Sequence, residues 1–129
     1  RNKIKFNDHE KLISIPIKKE KNRDSTHILD AQIDYSGSWD TKFLTLLKSE
    51  YSYSEFYEEV SEIIIKVLQQ KPKYLSDLNI NLITNISLNI GVESKFLRSS
   101  ELKPSGKKDK MLVDILKKFI RVVAFAGAP

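Results

Sequence analysis

The hydrophobic positions change period along the chain. Near the start they alternate with polar residues. Lys3–Phe6 reads polar, apolar, polar, apolar, and Leu12–Ile17 repeats the pattern with Ile13, Ile15 and Ile17 on one side. A two-residue period sends side chains to opposite faces of a strand, so these segments predict a hairpin turning over Asn7–Glu10. Pro16 has no amide to donate, so its strand is expected at an edge or to end early. Lys18–Ser25 is polar and reads as a loop. Ile28–Ile33 is a further strand candidate, broken by Ser36-Gly37-Ser38.

From Trp39 onward the period becomes helical. Trp39, Phe43, Leu46, Leu47 and Tyr51 recur three and four residues apart, which puts them on one helical face. Ser38 or Asp40 is the expected cap. Phe56, Val60, Ile63, Ile64, Val67 and Leu68 define a second helix, with Ser54 as cap, ended by Lys71-Pro72. Glu55, Glu58, Glu59 and Glu62 fall on its wet face. A third helix carries Leu75, Leu78, Leu82, Ile83, Ile86 and Ile90, with Ser76 or Asp77 as cap and Gly91 at its left-handed end.

The last third predicts a parallel βαβ unit. Lys95-Phe96-Leu97 reads as a strand and Ser99–Lys108 as a loop. Asp109 is the expected cap of a helix bearing Leu112, Ile115, Leu116 and Phe119. Val122–Phe125 is an apolar run of the buried parallel kind. The expected class is therefore α/β: N-terminal short strands in a hairpin, three amphipathic helices, then a C-terminal βαβ unit. Residues 1–129 are read as a single domain. The abrupt start at Arg1 and stop at Pro129 add the expectation that it is an excerpt of a longer domain, with apolar surface left exposed at Val122–Phe125.

Composition narrows the chemistry. The chain has no cysteine, which excludes disulfides and thiolate metal sites. No apolar run reaches the roughly 18–20 residues that span a bilayer, and a cytoplasmic location is expected. The net charge of +5 is uneven: +4 over residues 1–24, −5 over 25–94 and +6 over 95–129. Basic ends can attract anions, but a solvated surface rich in lysine is the preferred account of them.

Parallel sheets bind ligands beyond the C-terminal ends of their strands. In a βαβ unit those ends carry Arg98-Ser99-Ser100-Glu101 and Gly127. The connecting loop brings Gly106, Lys107 and Lys108 to a helix N-terminus, where free amides and two ammonium groups suit a phosphate. Arg98 can hold an anion through two hydrogen bonds, and Ser99, Ser100 and Glu101 can orient a polar ligand. This is not a P-loop, since Lys108 stands where that motif needs a hydroxyl. His9 and His27 lack partners at metal-ligand spacing and are expected in exposed loops, so no metal site is assigned. No nucleophile is assigned, and the cofactor is left open.

Several segments together resemble the WbqC-like protein family. Arg98–Leu102, Gly106–Lys108, Leu112–Lys117 and a strand ending in Ala126-Gly127 look like its C-terminal half. Arg1–Ile4 leading to Ile15-Pro16-Ile17, Ser38-Trp39 opening a helix, and Leu75–Asn79 opening another fit the same pattern. The family's usual N-terminal strand-loop segment, with Gln-Pro and Gly, would precede Arg1. The ending Phe125–Pro129 departs from the family's glycine-rich continuation. The family is bacterial and often associated with surface-polysaccharide gene clusters. The resemblance implies a role in O-antigen-type polysaccharide biosynthesis, as a transferase or ligase modifying an activated sugar.

A nucleotide-sugar or other anionic small molecule is then the expected partner, with a second copy of the chain as a further candidate. A non-catalytic binding or scaffolding domain is the alternative. A basic nucleic-acid-binding domain ranks third, suggested only by the charge of the two ends.

Overall fold

The computed structural model describes residues 3–6, 9–19 and 27–126, with side chains as far as residue 118. Its elements, in chain order, are β1 (Lys3–Phe6), β2 (His9–Leu12), α1 (Trp39–Tyr51), α2 (Tyr57–Gln69), α3 (Leu75–Asn89) and α4 (Asp109–Ala126). They group into two compact units, Arg1–Glu93 and Ser94–Pro129.

The hairpin of the first unit pairs β1 with β2 antiparallel, Phe6 opposite His9 and Lys3 opposite Leu12. The second strand therefore begins three residues before the expected Leu12–Ile17. Pairing Phe6 with His9 leaves only Asn7 and Asp8 between the strands, and such a short connection dictates the register. Those two residues lie outside the described ones, as does most of the expected Lys18–Ser25 loop. His9 is consequently a strand residue, not a loop residue, although it is exposed as expected.

The alternating segment Ile13–Ile17 has a different partner. Ile17 bridges Ile33 antiparallel, and Gln32 bridges Tyr74. The Pro16 carbonyl accepts the Asp34 amide at 2.9 Å, and the Ile33 amide donates to the Lys73 carbonyl at 2.9 Å. Residues 31–33 thus run between the Pro16–Lys18 stretch and the entry to α3. Pro16 uses its carbonyl alone, the edge role its missing donor requires. Ile28–Asp30, expected as strand, forms one 3₁₀ turn instead.

The three middle helices form where the periodicity places them. Ile33, Val67, Leu68 and Leu78 are buried, with Trp39, Phe43, Leu44, Ile64, Leu75 and Leu82 packed against them. Ile83 and Ile90 are exposed, so the core-facing stripe of α3 is narrower than expected. The expected serine caps do not form. Ser38 precedes α1 in a left-handed conformation with φ 50°, and neither it, Phe56 before α2 nor Tyr74 before α3 makes a side-chain cap bond. Gly91 does adopt the left-handed conformation, φ 78°, at the end of α3. Asn89 reaches back from α3 to Glu59 of α2 at 2.7 Å.

The second unit corrects the βαβ expectation. Residues 95–97 form no strand, and Val122–Phe125 continues α4 to Ala126. Among the described residues the one sheet is β1–β2, and no parallel pair is present. The physical reason lies in the spacing. Phe119, Val122, Val123 and Ala126 extend the three-and-four rhythm of Leu112, Ile115 and Leu116, and neither glycine nor proline intervenes before Gly127. A short β-branched run does not break a helix already propagating, because each added residue gains a hydrogen bond. The exposure of the Val122–Phe125 side chains lies outside the described residues.

Candidate functional site

The loop leading into α4 is held by two side chains one helical turn apart. The Asp114 carboxylate accepts the Ser105 amide at 2.8 Å. Lys118 donates to the Leu102 and Lys103 carbonyls, each at 2.9 Å, and pairs with Asp114 at 3.0 Å. The Ser105 amide, and then the Lys118 ammonium, hold the Asp114 carboxyl below its ordinary pKa. Within the loop the Glu101 amide donates to the Arg98 carbonyl at 3.0 Å, closing a turn over Ser99 and Ser100.

This anchoring determines where the candidate phosphate ligands sit. Gly106 has φ 84°, and a Cβ there would stand 3.0 Å from the Lys110 Cβ. Glycine supplies both the left-handed conformation and the room to approach α4. Lys108 follows at φ 50°, and its carbonyl accepts the Leu112 amide at 3.2 Å. Lys108 therefore occupies the cap position, and Asp109, expected there, is the first helical residue.

Lys107, Lys108, Ser99, Ser100 and Glu101 are exposed and Arg98 is half-buried. The segment before α4 carries all of them, as expected for Lys107 and Lys108, but Arg98–Glu101 do not follow a strand, since residues 95–97 form none. Gly127 lies outside the described residues. A concavity of about 350 Å³ beside the loop is lined by Ser105, Asp109, Lys110, Val113, Asp114 and Lys117. Lys110 and Lys117 thus face it, a pair that sequence reasoning did not single out.

In the first unit the helix junctions build a second polar cluster. Lys71, at the end of α2, hydrogen-bonds the carboxylate of Asp40, which is buried in the first turn of α1. The Lys71 ammonium lies 4.8 Å from the Tyr35 ring centre, and Tyr35 stacks on Trp39 at 5.8 Å. The Tyr35 hydroxyl donates to the Pro72 carbonyl at 3.0 Å. The Lys71 hydrogen bond is the main influence holding the Asp40 carboxyl below its ordinary pKa, against the opposing effect of burial. Burial, and next the negative charge of Asp40, raise that of Tyr35.

Two atoms of this cluster are buried without a hydrogen-bond partner: Trp39 Nε1 and Asp40 Oδ1. Sequence reasoning put Trp39 on the apolar face of α1 and offered Asp40, as the alternative to Ser38, for its cap. The available signal was a carboxylate beside an aromatic stripe with a lysine ending the next helix.

Also in the first unit, a cleft of about 560 Å³ is lined by Lys3, Ile4, Ile13, Ser14, Ile15, Phe43, Leu75 and Asn79. Among the described residues no group of His, Asp and Glu gathers as a metal site, and no helix is long and apolar enough to cross a membrane.

No curated protein and no solved structure matches the chain. A protein-family model does, over residues 1–124, and with that span the chain belongs to the WbqC-like protein family.

Proposed function

We propose that this protein acts on an activated, phosphate-bearing sugar in bacterial surface-polysaccharide assembly, in the cytoplasm, as a transferase or ligase. The reading is supported by the family and carried by one observation: the loop entering α4 is pinned by Asp114 and Lys118. It delivers Gly106, Lys107 and Lys108 to the N-terminus of an 18-residue helix. Ammonium groups beside free helical amides favour a phosphate by charge and by hydrogen bonding. In this reading Lys107, Lys108 and the amides after Gly106 hold the phosphate. Arg98 steadies an anionic group, and Ser99, Ser100 and Glu101 orient the sugar.

The test is calorimetric titration of a nucleotide-sugar into the wild type and into a Lys107→Ala/Lys108→Ala double variant. Loss of about tenfold or more in affinity supports the reading. Equal affinity in both, or no binding by the wild type, removes it.

A non-catalytic binding domain is the second reading. Leu112 and Leu116, one turn apart on α4, are 56% and 59% exposed. An apolar strip of this kind suits a protein partner. Turnover of a nucleotide-sugar separates the two readings.

A further inference from the structure

We propose that Tyr35, Trp39, Asp40 and Lys71 form a sugar-binding subsite in the first unit, with the Lys71 side chain as its cover. The choice of a sugar rests on the functional reading above. The site itself rests on separate residues and on a separate observation.

That observation is the pair of buried, unpartnered atoms, Trp39 Nε1 and Asp40 Oδ1. One is an obligate donor and the other an obligate acceptor. Buried polar groups almost always find partners, so an unpaired donor and an unpaired acceptor on consecutive residues call for a ligand that supplies both roles. A hydroxyl group does so, since it donates one hydrogen and accepts at two lone pairs. Neighbouring hydroxyls on one sugar ring can serve both atoms.

The rest of the cluster fits a sugar as well. The rings of Tyr35 and Trp39 stack on each other, and both side chains are half-buried, so each keeps part of its apolar surface in reach of ring C–H groups. The Asp40 side chain is 8% exposed, whereas Lys71 is 56% exposed and occupies the other carboxylate oxygen. The Lys71 ammonium, more than half exposed, therefore reaches the buried carboxylate from the solvent side. A sugar entering here displaces the Lys71 side chain or slides beneath it.

Trp39 is the sole tryptophan, so its emission reports on this cluster alone. The experiment titrates the intact chain with free pyranose monosaccharides, with a nucleotide-sugar, and with the nucleotide alone. Emission and heat are followed together.

The expected result is a saturable emission change with at least one free sugar, absent with the nucleotide alone. Asp40→Asn should weaken that sugar about tenfold or more. Circular dichroism verifies that the variant is folded. The wild-type titration stands by itself where it is not. The Lys107→Ala/Lys108→Ala variant should keep the free-sugar response.

If no free sugar changes Trp39 emission while the nucleotide-sugar still binds by heat and loses affinity in the lysine variant, the subsite is overturned and the phosphate reading stands. If a free sugar moves Trp39 but the lysine pair proves irrelevant to the nucleotide-sugar, the reverse holds. Unchanged emission with every sugar leaves the two atoms to a structural water and ends the proposal.

Discussion

Lys71 and Asp40 are 31 residues apart in sequence, and their hydrogen bond ties the end of α2 to the start of α1. The carboxylate is buried and the ammonium largely exposed, so the two partners have unequal effects when removed. Lys71→Met leaves a buried charge without its counterion. The expected cost is about 2 kcal/mol in urea unfolding. This is below the roughly 3–5 kcal/mol of a fully buried pair, because water can take part of the lysine's place. Asp40→Asn removes the charge as well and should cost less. A cost under about 0.5 kcal/mol for Lys71→Met would show that the pair does not hold the two helices.

The same bond sets an acid limb. The folded pKa of Asp40 is lowered, chiefly by Lys71, from an ordinary value of 3.8. Its contribution is therefore complete above 3.8 and is lost as pH falls through the lower folded value. Asp114, Asp34 and Glu62 are lowered too, by Ser105, Ser36 and Lys66 first in each case, so the wild-type curve mixes several groups. The difference between wild type and Asp40→Asn isolates one. It should be flat from neutral pH down to about pH 5 and narrow below 3.8. A difference that widens on acidification has the wrong sign for this pair.

The middle of the fold was legible because α1, α2 and α3 carry long runs of one period, and periodic burial of Val67, Leu68 and Leu78 is what holds them. The strands were harder. Ile13, Ile15 and Ile17 alternate like a hairpin strand, yet Ile17 pairs with Ile33 and Gln32 with Tyr74, links that no local pattern encodes. Val122–Phe125 misled through composition: four apolar residues suit a buried strand or a helix face equally, and only continuity with Phe119 decides. The candidate loop was recognised for its lysines and glycine, but its anchors were not. Asp114 and Lys118 are four residues apart on α4, and that spacing says nothing of Ser105 and Leu102 folding onto them. Asp40 and Lys71 were hidden similarly, since each reads as a helix-end residue when taken alone.

The helical assignment of the C-terminal run has a direct check. Ala124→Pro removes an amide and introduces a clash in the last turn of α4, so the helix should end short of residue 124. Ellipticity at 222 nm should fall, and backbone chemical shifts over 122–125 should leave the helical range. Unchanged ellipticity, with strand-like shifts in the wild type, would restore the extended reading.

Removing the Asp114 carboxylate should free the loop and little else. Asp114→Ala deletes the acceptor of the Ser105 amide and one partner of Lys118. The Ser105 amide should then exchange with solvent markedly faster, while amides of α1–α3, in the other unit, keep their protection. Unchanged exchange at Ser105 would mean that the loop is held by its own turns, not by α4.

Gly106 joins the loop to its proposed chemistry, and its replacement tests both at once. Its φ of 84° is a region that L residues enter at a cost of about 1–2 kcal/mol. A methyl group would also press on the Lys110 Cβ at 3.0 Å, a position on α4 that has little freedom to retreat. Gly106→Ala must therefore shift the chain entering α4, moving the amides and the Lys107 and Lys108 side chains together. Stability should fall by about 1–2 kcal/mol. Nucleotide-sugar affinity should fall further than that loss of folded protein explains, because the amides are displaced even in folded molecules. The control is Gly37→Ala, where an added Cβ meets nothing within 4 Å, and it should leave both quantities nearly unchanged. If Gly106→Ala lowers stability yet binds nucleotide-sugar like the wild type, the glycine serves the turn alone and the phosphate lies elsewhere.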